Sequence, residues 1–220
     1  MLTSFDRVIT GRSYKQYCGI ARALDLIGER WALLVIRELV FGPKRFTDLR
    51  QGLPGIATNV LSQRLHQLQR DGVVARRRLP PPAASNVYEL TEYGEELVPI
   101  MLGLGRWGAR TMGERLPEQT LQPEWLAVAL KAFYQPEAAE GLSVRIGIDL
   151  GGVQFTFSLD QGRLEIAPGA TGSTDLTIAA DPETLVGFLA GAPVPVQAEG
   201  DRALLERLPA IFAFGAPSTG

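Results

Sequence analysis

Cysteine and histidine are almost missing from this chain: one of each, Cys18 and His66, in 220 residues. A single thiol leaves no disulfide framework within the chain and fits a reducing compartment, so a cytoplasmic location is expected. One histidine and one cysteine cannot supply the ligands of an intrachain His/Cys zinc site, and neither a metal nor a cofactor is expected. A Ser–His–Asp triad would need His66 as its base, yet His66 lies in mid-helix with no nucleophile elbow nearby. With no other catalytic constellation present, the chain does not read as an enzyme. No run reaches the ~18–20 uncharged apolar residues of a membrane span. The start, "MLTSFDRVITGRSYKQ", lacks the apolar block and small-residue site of a secretory signal. No membrane partner is therefore expected.

Charge is plentiful, and it is divided unevenly. Hydrophobic content of 45% and charged content of 21% are ordinary globular values. The length suffices for one large domain or two small ones. Residues 1–117 carry 17 Lys and Arg against 11 Asp and Glu, a net +6, whereas residues 118–220 carry 5 against 13, a net −8. Such asymmetry predicts two domains with different partners, the basic one suited to a phosphate backbone.

In the first half, "CGIARALDLIGERWALLVIRELVFG" places Ile20, Leu24, Ile27, Trp31, Leu34, Val35 and Leu39 at steps of three and four. That spacing predicts buried helix faces, with a break at Gly28 and an end at Gly42-Pro43. "RFTDLRQGL" predicts a short helix, "LPGI" a turn, and the stretch from Thr58 to Arg70 a further helix with Leu61, Leu65 and Leu68 as its apolar stripe. The opposite side carries Asn59, Gln63, His66, Gln67 and Arg70, flanked by Ser62. "VVARRRLPPPAASNVYELT" then reads as a β-hairpin with basic strands.

Helix, turn, helix and basic hairpin, in that order, is the winged helix-turn-helix arrangement. Its second helix can offer Thr58, Asn59, Ser62, Gln63, Arg64 and His66 to base edges in a major groove of double-stranded DNA. Arg45, Arg76, Arg77 and Arg78 are the candidates for phosphates. A polar face opposite a leucine stripe can also be plain solvated surface; it is the order of the elements that selects DNA. In "LTEYGEELVPIMLGLGRWGARTMG", Thr91 is an expected N-cap, and Leu97, Met101, Leu104 and Trp107 recur at helical steps, with a kink expected at Pro99. Gly103, Gly105 and Gly108 each cost roughly 1 kcal/mol relative to Ala, which makes sense where a second helix approaches closely. A homodimer seam is expected there, with an intrachain core helix as the alternative.

Residues 18–112 resemble an HxlR-type transcription regulator, a branch of the MarR-like winged-helix group. The motifs that carry the resemblance are Cys-x-Ile before the first helix, Gly-x-Arg-Trp, Gly-x-x-Arg-Phe-x-x-Leu, Gly-Ile followed by Leu-x-x-Arg-Leu, and Leu-Thr-x-x-Gly. The resemblance implies a homodimer that binds an operator sequence-specifically and regulates transcription, here expected to repress. The wing tip, Pro80 to Ser85, has no charged residue, so contact is expected on the hairpin strands at Arg76, Arg77 and Arg78. Cys18 precedes the first helix, where some related regulators carry a redox-sensing thiol. Lys15 and Arg22 are near it in sequence and would lower its pKa. A redox-responsive regulator acting through Cys18 is thus an alternative, as is a small buried cysteine with no such role.

The second half follows a linker, residues 116–123. "EWLAVALKAFYQP" predicts a helix, and "LSVRIGIDL", "VQFTFSLD", "RLEIA" and "DLTIAA" predict antiparallel strands with one buried face, separated by Leu-Gly-Gly and Asp-Gln-Gly turns. "DPETLVGFLAG" predicts a helix with an Asp cap and a Pro at its first position. From about 125 to 214, the order of elements and "VQAEGDRALLERLPAIF" resemble the sterol-carrier-protein-like fold. That resemblance implies an α/β layer with a tunnel for an apolar ligand, lined by Phe155, Phe157, Phe188 and Phe212; a filled core explains the same residues.

The expected fold is therefore α+β. A winged helix-turn-helix DNA-binding and dimerisation domain (1–115) precedes an antiparallel sheet with helices (124–220). The expected function is a DNA-binding regulator modulated by a small apolar effector. An apolar-ligand carrier whose N-terminal domain serves only dimerisation is the alternative.

Overall fold

In the computed structural model, which describes residues 13–113 and 115–214, the chain divides into two compact units, Met1–Glu96 and Leu97–Gly220. The first unit orders its elements as α1 (Gly19–Ile27), α2 (Ala32–Glu38), α3 (Phe46–Gln51), α4 (Thr58–Arg70), β1 (Val74–Arg78), β2 (Asn86–Leu90) and α5 (Glu92–Glu95). Its core combines Val35, Ile36 and Leu39 with Leu49, Leu53 and the α4 stripe Leu61, Leu65 and Leu68, all buried. The turn from α3 into α4 needs Gly55, whose φ of 84° lies in the left-handed region. Helix α4 ends in a Schellman motif: Val73 N–H donates to Leu68 O at 2.9 Å, Gly72 N–H donates to Gln69 O at 3.1 Å, and Gly72 sits at φ 75°. Leu68 and Val73 are both fully buried, which supplies the apolar contact of that motif. Strand β1 starts immediately afterwards.

Helix α1 departs from the expectation of buried faces. It buries Ala21 and Leu26, while Ile20 is 75% and Leu24 45% exposed, and Leu34 of α2 is 40% exposed. The stripe is amphipathic as read, but this unit leaves part of it uncovered.

The second unit comprises α6 (Leu97–Ala109), α7 (Pro123–Phe133), a 3-10 turn (Pro136–Ala139), β3 (Ser143–Leu150), β4 (Val153–Asp160), β5 (Arg163–Pro168), β6 (Leu176–Ala180), α8 (Pro182–Leu189), β7 (Gln197–Gly200) and α9 (Arg202–Ile211). The division between the two compact units follows Glu96. Pro99 has no N–H for the Glu95 carbonyl, so α5 stops and a new helix begins. That new helix, α6, packs on α7, and Arg106 Nη1 donates to Ala132 O at 2.9 Å.

The five strands are ordered β5-β4-β3-β6-β7, and the sheet is mixed rather than antiparallel, because β6 runs parallel to β3. Strands β3, β4 and β5 form a meander through tight turns at Gly151-Gly152 and Gln161-Gly162, whose four φ angles are all positive, as two-residue hairpin loops require. The chain then crosses the outer face of the sheet to reach the far side of β3. Thr156 Oγ1 donates to Gly169 O at 2.9 Å and accepts from Thr171 N–H at 3.0 Å, and Asp175 N–H donates to Arg145 O at 2.8 Å. Gly147 lies under this crossover, where a Cβ would stand 3.3 Å from the Thr174 methyl.

The inner face buries Ile146, Ile148, Phe155, Phe157, Leu176 and Ile178, together with Leu130 of α7, Leu185 of α8 and Leu204 and Leu208 of α9. Asp181 caps α8 ahead of Pro182, and Asp201 caps α9. Among the described residues, no helix is long and apolar enough to cross a membrane, and no group of three or more His, Cys, Asp or Glu could hold a metal.

Candidate nucleic-acid interface

Burial of Leu61, Leu65 and Leu68 turns the other side of α4 outward, and Thr58, Asn59, Ser62, Gln63 and His66 are all exposed on it. At 1.5 Å per residue, the 13-residue helix is roughly 20 Å long, and a major groove ≈ 12 Å wide admits such an element. Arg45 is exposed just ahead of α3, and its backbone N–H donates to the Asp48 carboxylate at 3.0 Å.

Arg64 is not on that outward face. It is 6% exposed, its Nη1 donates to Gln67 Oε1, and its Nη2 reaches Glu29 Oε2 at 3.4 Å. The cause is helical phase: residue 64 follows Leu61 by three and precedes Leu68 by four, so it shares the leucine side. Its guanidinium ties α4 to the turn between α1 and α2 instead of reaching outward.

The hairpin pairs Arg76 with Tyr88, Arg77 with Val87 and Arg78 with Asn86. Strand alternation therefore puts Arg76 and Arg78 on one face and Arg77 on the other. All three are exposed. Arg76 lies 6.0 Å from the Tyr88 ring centroid. Arg77 is engaged, with its Nε and Nη2 each donating to the Glu89 carboxylate at 2.8 Å. The hydrogen bond from Arg77 holds the Glu89 carboxyl below its ordinary range, and the same bond raises the Arg77 guanidinium above its own.

A buried carboxylate braces this hairpin. Glu38, its side chain 1% exposed, accepts from Arg37 Nη2 and from Lys44 Nζ, both at 2.9 Å. Burial lowers the Arg37 guanidinium pKa, and the charge of Glu38 opposes that shift. Lys44 also exchanges backbone hydrogen bonds with Tyr88 of β2, at 2.9 and 2.8 Å. Gly52 closes the site, since a Cβ there would stand 2.2 Å from Glu38 Oε2. Neither Glu38 nor Glu89 was anticipated. Glu38 carried a signal, because it follows Val35 by three and so falls in the phase of a buried stripe. Glu89 carried none, because its placement near Arg77 depends on the hairpin register.

The remaining candidates lie elsewhere. Of the four seam residues on α6, Leu97 is half-buried and Met101 is buried within its own unit, whereas Leu104 is 46% and Trp107 72% exposed. The adjoining Ile100 is 57% exposed. Phe155, Phe157 and Phe212 are buried in the second unit, with the Phe157 and Phe212 rings edge-on at 6.0 Å, and Phe188 is half-buried. Cys18 is exposed at the N-cap of α1, and the amides of Ala21 and then Ile20 favour its thiolate, lowering the thiol pKa.

The HxlR-like helix-turn-helix family matches residues 26–115. Two similar proteins of Bacillus subtilis (strain 168) bear the description "Uncharacterized HTH-type transcriptional regulator". YvaP is 35% identical over 86 residues, which is 39% of this chain and 80% of that protein. YkvN is 34% identical over 116 residues, which is 50% of this chain and 96% of that protein. Among solved structures, the reduced form of the transcriptional regulator YodB from B. subtilis is 31% identical, across 45% of this chain and 100% of that one, with a TM-score of 0.40.

Proposed function

Because this chain belongs to the HxlR-like helix-turn-helix family, we propose that it is a DNA-binding transcription regulator that acts as a homodimer on an operator and represses by occupying it. The observation that carries this reading is the outward stripe of α4, whose exposed polar side chains precede by a three-residue connection a hairpin on which Arg76 and Arg78 are exposed on one face. Asn59 and Gln63 suit adenine edges, which bidentate amides recognise, while arginines on the hairpin meet phosphates and set orientation. A second copy docked on Ile100, Leu104 and Trp107 would cover that exposed apolar strip and give a palindrome-like site with half-sites about 10–10.5 base pairs apart. The decisive experiment is selection of bound fragments from sheared genomic DNA, followed by a salt series on the enriched site. Enrichment of no sequence over bulk DNA would defeat the claim of sequence-specific binding.

The second unit is the proposed sensing half, taking a small apolar effector among Phe155, Phe157, Phe188 and Phe212. Helices packed on one face of a single sheet, the layering that the sterol-carrier resemblance implies, support that role. The stretch after α6 is also anchored, with Arg115 paired to Glu183 of α8 and donating to Gln119 O. An effector would alter DNA affinity only through unequal affinity for the two binding states of the protein, with coupling of about 1–3 kcal/mol in typical cases. A second reading, favoured by the exposed and acidified Cys18, is a redox response. In it, two Cys18 thiols on partner subunits form a disulfide, giving two electrons and two protons to an oxidant. Operator binding by Cys18→Ser that still responds to diamide would remove this reading.

A further inference from the structure

Three consecutive arginines would be expected to act together on DNA, yet the hairpin treats them unequally. Arg76 and Arg78 share a face with Tyr88 and Asn86, and among the described residues neither forms an ion pair. Arg77, on the opposite face, gives two donors of its guanidinium to Glu89, in a fork with both distances at 2.8 Å. A pair this exposed, with side-chain exposures of 46% and 27%, adds little to stability, so the fold has small need of it. Its effect on an approaching phosphate is larger. The two-donor fork that Arg77 gives to Glu89 is the geometry in which arginine binds phosphate. Transfer of Arg77 to DNA would break the fork and leave a carboxylate facing anions of its own sign.

We propose that Glu89 is a resident competitor for phosphate: it withholds Arg77 from DNA, assigns the wing's backbone contacts to the Arg76–Arg78 face, and holds down affinity for DNA of arbitrary sequence. This inference rests on the DNA-binding reading above. Because phosphate contacts carry no sequence information, the operator is not needed to test it.

The test measures the affinity of the full-length protein for a mixed-sequence duplex of about 30 base pairs across about 50 to 200 mM salt. Arg76→Ala and Arg78→Ala should each flatten the log–log salt slope by about one unit, while Arg77→Ala leaves it unchanged. Glu89→Gln should steepen the slope by about one unit and tighten binding several-fold, and the gain should vanish in the Glu89→Gln, Arg77→Ala double variant. If Arg77→Ala flattens the slope as Arg76→Ala does, or Glu89→Gln binds like the parent, the competitor role is wrong while DNA binding stands. If the parent and every variant fail to bind the duplex even at about 50 mM salt, the DNA-binding reading falls and takes this proposal with it.

Discussion

The two units handle buried polarity in opposite ways. Among the described residues, the first unit buries two charged side chains, Glu38 and Arg64, and each ties one helix to something else: α2 to Lys44 and the hairpin, and α4 to the turn before α2. Among the described residues, the second unit buries a single polar side chain, Thr156, whose hydroxyl holds down the crossover loop, and fills the rest of its interior with apolar side chains. A buried charge is a poor source of net stability but a strict one of geometry, because a misplaced partner leaves a desolvated ion. The first unit thus spends stability on position, as a reader of DNA needs. The second has the interior of a stable scaffold, within which mutations act through volume.

The sharpest break of that contrast is Glu38→Ala against Phe157→Ala. Each should destabilise its own unit by about 3–5 kcal/mol, the first by stranding Lys44 and Arg37, the second by opening a cavity. Denaturant melts will measure both. The functional readouts should diverge: Glu38→Ala should weaken binding to the selected operator as the hairpin loses its brace, whereas Phe157→Ala should leave it within about threefold at temperatures where both proteins are folded. Equal losses of operator binding would erase the distinction.

Next in size are the helix-face substitutions. Asn59→Ala or Gln63→Ala should relax preference at one base position by about 1–3 kcal/mol, read by competition among operator variants. Arg64→Ala should instead lower stability and weaken all operators alike, because Arg64 acts inside the unit. Leu104→Glu or Trp107→Glu should give monomers in sedimentation, while Met101→Glu should unfold its unit. A dimer that survives both exposed substitutions relocates the seam, with Ile20 and Leu24 of α1 the next apolar surface to test. The smallest effect belongs to Asp181→Ala at the start of α8. Thr184 lowers the Asp181 pKa, chiefly through its hydroxyl and then its amide. The cap's contribution is therefore complete above the ordinary carboxylate pKa and fades as pH falls below it. The parent and Asp181→Ala should differ slightly in melting temperature at pH 7 and converge in acid.

Much of the first unit was legible because its information is local. Leucines three and four apart fixed the outward side of α4, and Thr91 announced its cap through residue type and position, as Asp181 did in the second unit. Arg64 shows the limit of reading by chemistry, since its phase pointed inward while its charge suggested the surface. The parallel pairing of β3 with β6 was not legible at all. Alternation marks a strand but not its neighbour, and the crossover that dictates the pairing is a seven-residue loop, 169–175, whose hydrogen bonds reach Thr156 and Arg145. The exposed stripe on α1 was misread for a related reason: periodicity says that a face is apolar, not whether the same unit covers it.

The Schellman end of α4 has a consequence for what this protein can read. Asp71, Gly72 and Val73 join the helix to β1 with no slack between them, so the side chains proposed to read bases and those proposed to grip phosphates form one caliper with its jaws soldered. Within a half-site, the offset from the recognised base step to the gripped phosphate is then a constant of the molecule. In the proposed homodimer, tolerance for spacing would come from the joint between two copies, and a single residue inserted between Arg70 and Val74 would swing β1 about 100° around the helix axis and leave the protein gauging a DNA that does not exist.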